Sequence, residues 1–295
     1  MAAEATIAPA KIGAKIGAGI GAPARPGAPP KSGARTGVPA WLRGLSGLIG
    51  FALILEIVPR IGLVSPHYLP PFSEIMVALV RELATANFWH AFGDTMRAWA
   101  LGLVIALVAG TVIGIVVGSS SLLRTLTYST IEFLRPIPSV ALIPLAVLLF
   151  GTQLESTLIL VVYAAFWQVL IQVLYGVHDV DPIARETARS YGLGTWAQIR
   201  YLIWPTMLPY LMTGVRLAAA VALILAITSE IAIDTEGLGR EISQTESGGA
   251  VAIMYAYVIV TGIIGVIVNL GARALERRVL SWHPSIRLDT AGAGR

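Results

Sequence analysis

The sequence predicts an all-α, polytopic membrane protein of about six transmembrane helices. Three observations carry that expectation. Only 13% of the 295 residues are charged, against about 25% in a soluble domain, while 56% are hydrophobic and the mean hydropathy is +0.75. Apolar stretches of about 20 residues, the length that crosses a bilayer, recur along the chain. The positive charge, net +4, gathers in the N-terminal tail, in one central polar stretch and after the last apolar stretch. That is the asymmetry of cytoplasmic segments and not a nucleic-acid-binding stripe.

Residues 1–40 are rich in Ala, Gly and Pro, and Lys11, Lys15, Arg25, Lys31 and Arg35 make them basic. They lack the continuous apolar run of a signal peptide, so a disordered cytoplasmic tail is expected. The membrane domain is expected over 41–285, with 286–295 a flexible tail. The first span is placed at about Leu45–Val64, where Glu56 and Arg60 stand four apart on one helix face and form an interfacial ion pair. Ile75, Met76, Leu79, Val80 and Leu83 then have helical spacing in an amphipathic surface helix, followed by interfacial Phe88, Trp89 and Phe92. The second span, about Ala98–Val117, repeats Gly102, Gly110, Gly114 and Gly118, which permit close helix contact. Residues 119–125 read as a short inner loop.

The third apolar stretch, Leu126–Phe150, is interrupted by Arg135, Pro136 and Pro138. A charge and two missing N–H groups at membrane depth are tolerated where the backbone faces protein or a cavity, so this span is expected to be kinked and beside a pathway. The fourth span, about Thr157–Val177, carries Gln168 and Gln172 on one face, for inter-helix hydrogen bonds or for pore lining. The fifth, about Leu208–Ile231, carries Arg216 in its first half and Glu230 at its far end. Residues 229–250 form an acidic loop. The sixth, about Val251–Leu270, ends at Arg273, Arg277 and Arg278, which places both termini in the cytoplasm.

Between the fourth and fifth spans lies the polar stretch Asp181–Pro209. Asp181 as N-cap, Pro182 at the first helical position and Gly192 or Gly194 past the end predict a helix over 182–191. A second short helix is expected from about Thr195 to Tyr201, stopping before Pro205. Two short helices joined at a glycine make a compact knob.

The spacing in this knob resembles the cytoplasmic motif of ABC-transporter permeases: Glu-Ala-Ala, three residues, Gly, nine residues, an aliphatic residue, any residue, Leu, Pro. Here Glu186-Thr187-Ala188, Gly192, Leu202 and Pro205 fall in register, with Thr187 for Ala and Trp204 for Leu as the departures. About residues 45–285 resemble the nitrate, sulfonate and taurine branch of the family, through LPPFSEIMVAL, LRPIPSVALIPLAVLLFG, GVRLAAAVALILAITSEI and GLGREI. The resemblance implies a type I importer permease with a cytoplasmic coupling helix, in a bacterial inner membrane. It also implies a homodimer of permeases, two separate ATPase subunits and a periplasmic or extracellular substrate-binding protein.

The chain has no G-x-x-x-x-G-K-[ST] loop, so its ATP hydrolysis is expected to belong to that partner. The coupling residues are then Glu186, Thr187, Ala188, Gly192, Leu202 and Pro205. The pathway candidates are Arg135, Pro136, Pro138, Gln168, Arg216 and Glu230. A secondary transporter would favour internal repeats and deep carboxylates, and a scaffold would not need the broken third helix. A membrane enzyme would need a nucleophile or metal set. There is no cysteine, His67, His90, His178 and His283 are scattered without H-E-x-x-H, and no catalytic residue, metal or cofactor is expected.

Overall fold

A computed structural model describes residues 40–282. The expected tail over 1–40 lies outside these residues except for Ala40, the first residue of helix α1, and that over 286–295 lies outside them entirely. The first turns of helix α1 (Ala40–Arg60) belong to a separate unit, Met1–Leu48, and the bundle described below is Ile49–Arg295. Among the described residues four helical runs are long and apolar enough to cross a bilayer. They are α3 (Ala86–Ser119), α6 (Leu154–His178), the continuous run Thr195–Ile233 and α11 (Val251–Val279). A bent pair, α4 (Ser121–Leu134) and the segment Ser139–Phe150 with α5 (Ile143–Phe150), makes a fifth. Helix α1 is a further helix of 21 residues outside this set of four or five. Its Phe51, Leu53 and Ile54 are exposed, as lipid-facing side chains are.

The core is α6 laid between α3 and α9 (Trp204–Ile233). Lipid supplies no hydrophobic drive between apolar helices, so close packing of small residues must do it. Gly102, Gly110, Gly114 and Gly118 of α3 receive Val161, Val169, Val173 and Val177 of α6. Each pair is separated by the same 59 positions, so the two helices run parallel in one fixed register. On the other side, a Cβ at Gly176 of α6 would lie 2.7 Å from the Met207 backbone. Backbone cannot yield as a side-chain tip does. Gly176→Leu should therefore cost about 1–3 kcal/mol and lower the thermal midpoint in detergent, whereas an unchanged midpoint would refute this contact.

The third span breaks as expected, by 84°. Pro138 has no N–H to offer the carbonyl of Leu134, and the Tyr163 hydroxyl donates to that oxygen at 2.6 Å. Helix α1 stops at Arg60, short of Val64, and Glu56 is more than an ion-pair partner. Its carboxylate accepts from Ser73 N at 2.8 Å and Ser73 Oγ at 3.0 Å, capping the amphipathic α2 (Phe72–Leu83) from a neighbouring helix. Ile75 of α2 is buried, but Val80 faces outward.

Several expected boundaries shift. The inner loop at 119–125 shrinks to a single extended residue, Ser120, whose Oγ accepts from Leu123 N. Arg124 donates to the Gly118 carbonyl at 2.8 Å and closes the end of α3. Part of the acidic loop folds as α10 (Leu238–Ser247), because Leu238 and Ile242 pack on α11 and α3. The sixth span runs nine residues past Leu270, to Val279.

Candidate functional site

The segment between α6 and α9 folds into the expected first helix. Helix α7 spans Pro182–Ser190, and Asp181 accepts from Ile183 N at 2.8 Å. Leu193 N donates to the Ala188 carbonyl at 3.0 Å and Gly192 N to that of Arg189 at 2.9 Å, the bonding of a helix closed by a left-handed residue. Gly192 is that residue, at φ +73°, and Gly194 is extended.

The second half of the knob corrects the sequence reading. Helix α8 (Thr195–Gln198) does not stop before Pro205 but runs through a π-helical turn, Ile199–Ile203, into α9. The wider turn, in which Trp204 N donates to the Ile199 carbonyl, accommodates the proline that follows it. Pro205 thus occupies the first turn of α9, where its missing N–H does least harm. The second half of the knob and the fifth span are one rod of 39 residues, Thr195–Ile233, with α7 outside it.

The exposed surface of this knob is aromatic and charged. Tyr191, Trp196 and Tyr201 are each at least 70% exposed, and Ile183 is 73% exposed. Glu186 and Thr187 are exposed and Ala188 is half-buried. Arg189 and Glu186 make no ion pair within the described residues. Leu202 packs against the core.

The pathway candidates separate into four places. Arg135 and Pro136 line a cavity of about 710 Å³ between α3, α4 and α6, at the knob end of the bundle. Arg124, Tyr128, Glu132 and His178 line it as well. With two guanidiniums against one carboxylate, its charge favours an anion. Pro138 sits beside it at the break. Gln168 is half-buried and makes no hydrogen bond within the described residues, so the expected inter-helix bond is absent. Arg216 reaches sideways instead, to Glu276 of α11 at 3.4 Å.

Glu230 lies at the far end of α9 and is fully buried. Its Oε2 accepts from Thr95 Oγ1 of α3 at 2.8 Å and from Gly239 N of α10 at 2.9 Å. The same Thr95 oxygen accepts from Leu238 N at 2.8 Å. A Cβ at Gly237 would collide with the Glu230 carboxylate, and one at Gly239 with the Ile227 carbonyl and Glu230 Cβ. Sequence reasoning missed this knot, since Thr95 and Glu230 stand 135 positions apart. The motif GLG after a glutamate was its one local trace.

Comparison with known proteins agrees with these features. A family model described as "Binding-protein-dependent transport system inner membrane component" matches residues 107–281. The taurine transport system permease protein TauC of Escherichia coli is 29% identical over 78% of this chain and 86% of its own length. An aliphatic sulfonates transport permease protein, SsuC of Bacillus subtilis, is 28% identical over 83% of this chain and 89% of its own. The bicarbonate transport permease CmpB of Synechococcus elongatus is 26% identical over 80% and 88%. Among solved structures, a bacterial ABC transporter that imports alginate has a chain with a TM-score of 0.59 at 16% identity, covering 81% of this chain and 96% of that one. A MetNI methionine transporter chain has a TM-score of 0.57 at 17% identity, covering 70% and 97%. The permease fold is therefore shared, and the chain belongs to the family of binding-protein-dependent transport system inner membrane components, the permeases of ABC transporters.

Proposed function

We propose that this chain forms the membrane pathway of an ATP-driven importer for a small organic anion of the sulfonate class. Two copies of the permease pair with two ATPase subunits at the knob, and a substrate-binding protein delivers solute at the opposite end. Both termini lie on the ATPase side of a bacterial inner membrane. The substrate class is supported by the taurine and sulfonate relatives and by the net positive cavity that holds Arg135 and Pro136. Pro138 keeps that cavity open by breaking the third span, and Gln168 faces the solute. Arg216 and Glu230 brace the helices that frame the path.

The single observation behind the coupling role is the knob. An exposed carboxylate without an internal partner stands on α7, and the next helix of the knob, which carries exposed Trp196, is continuous with the fifth span. Such a surface suits a groove on a soluble partner, with Glu186 meeting a cation or an amide there. Closure of the ATPases then moves the rod, and α9 carries the motion to the far end. The test is ATP hydrolysis by the reconstituted complex. Glu186→Ala should lower solute-stimulated hydrolysis several-fold while the permease still inserts. Full stimulation in that variant would overturn the assignment.

A further inference from the structure

We propose that Asp179 and Tyr210 form a clasp that makes α6 and α9 one lever, so that motion of the knob also opens and shuts the cavity beside Arg135. This rests on the coupling reading above and adds a second helix to the part that moves. The knob has two roots, the end of α6 at His178 and the start of the rod that becomes α9. Motion passed along the rod reaches α9 directly. It reaches α6 only if the two roots are held together.

The roots pack closely. Val177 and Val180 of the first share one buried cluster with Ile203 and Met207 of the second. A Cβ at Gly176 would come within 2.7 Å of Met207 Cα and 3.1 Å of Tyr210 Cβ. Deeper in the bundle the small residue is on the other helix, where a Cβ at Gly214 would lie 3.2 Å from Gln172 Cβ. The two helices therefore run antiparallel. Apolar contact of this kind is non-directional, whereas a hydrogen bond weakens steeply once its angle or distance is lost.

The directional tie sits at the end of the pair. The Tyr210 hydroxyl donates to Asp179 Oδ2 at 2.9 Å. Among the described residues it is the only side-chain hydrogen bond between α9 and α6 with its cap. Asp179 is itself fixed to α6, because its N–H donates to the Tyr175 carbonyl at 3.0 Å. Arg185 of α7 reaches back to the Val177 carbonyl at 3.4 Å, which fastens the first knob helix to the same turn.

That last stretch of α6 is also a wall of the cavity of about 710 Å³, through Ile171, Leu174, Tyr175 and His178. The facing wall is α4, which buries no side chain and is bounded by the extended Ser120 and the 84° break. A pull that reaches α6 moves one wall against the other and changes the room around Arg124 and Arg135. A pull confined to α9 leaves that room as it was. Asp179 and Tyr210 do not line the cavity, so they are positioning residues.

The test uses the complete importer, with its own binding protein and ATPase, in vesicles. ATP hydrolysis and uptake of ethanesulfonate are measured together. Tyr210→Phe and Asp179→Ala should each keep solute-stimulated hydrolysis and the thermal midpoint near wild type, while solute taken up per ATP falls several-fold. The two changes combined should lower that ratio no further than either alone. Asp179→Asn keeps an oxygen for the hydroxyl and should keep the wild-type ratio. An unchanged ratio in Tyr210→Phe and Asp179→Ala overturns the clasp, as does an asparagine variant as poor as the alanine or a ratio that falls only together with the midpoint. A wild type without ATP-driven uptake, or full stimulation in Glu186→Ala, overturns the coupling reading instead.

Discussion

Glu230→Ala should unfold the far end of the bundle and lower the thermal midpoint in detergent by on the order of 10 °C. The replacement removes the only acceptor that Gly239 N uses among the described residues and leaves that N–H unpaired in a buried place. It also leaves the Thr95 hydroxyl without its acceptor, although that oxygen still receives Leu238 N. Each orphaned donor costs about 1–3 kcal/mol, and the void left by the side chain adds to this. For a domain of this size about 2–4 °C accompanies each kcal/mol. Glu230→Gln keeps a carbonyl oxygen in the place of Oε2 and should lose much less. Equal midpoints for the alanine and glutamine variants would show that the hydrogen bonds to Glu230 do not hold α3, α9 and α10 together.

Gly192→Val should abolish most solute-stimulated ATP hydrolysis while leaving insertion and the bundle intact. Gly192 stands at φ +73°, and a Cβ there would meet nothing within 4 Å. The cost is therefore conformational and not steric against neighbours. A side chain in the left-handed region costs roughly 1–2 kcal/mol, and more when branched at Cβ. The knob has little burial with which to offset that cost, so α7 should lose its closing bonds from Leu193 and Gly192 and turn away from its partner. Gly192→Asn, which tolerates this conformation, should retain most of the coupling. The midpoint of the bundle should not move in either variant. Undiminished stimulation in Gly192→Val would mean that the shape of the knob does not matter for coupling.

The sequence was most informative where the physics is local. Asp181, Pro182 and Gly192 determine the start and end of α7 through capping and backbone preference, which act within a few residues. Pro136 and Pro138 determine the break in the third span for the same reason. The glycines of α3 announced a close helix contact but not its partner, because Val161 and its successors lie 59 positions away. Helix α10 was hidden, since its polar composition reads as a loop until α11 and α3 bury Leu238 and Ile242.

By itself, the sequence determined that the chain crosses a membrane, where its third span breaks and which segment protrudes as a knob. Apolar length, missing N–H groups and capping are properties of short stretches, and no distant contact revises them. The tertiary structure alone decided that the second half of the knob is continuous with α9, that Glu56 caps α2 and that Glu230 is buried against Thr95 and Gly239. It alone brought Asp179 and Tyr210 together at the root of the knob. A charged side chain's role depends on what faces it, and in a helical bundle the facing groups come from helices far apart in the chain.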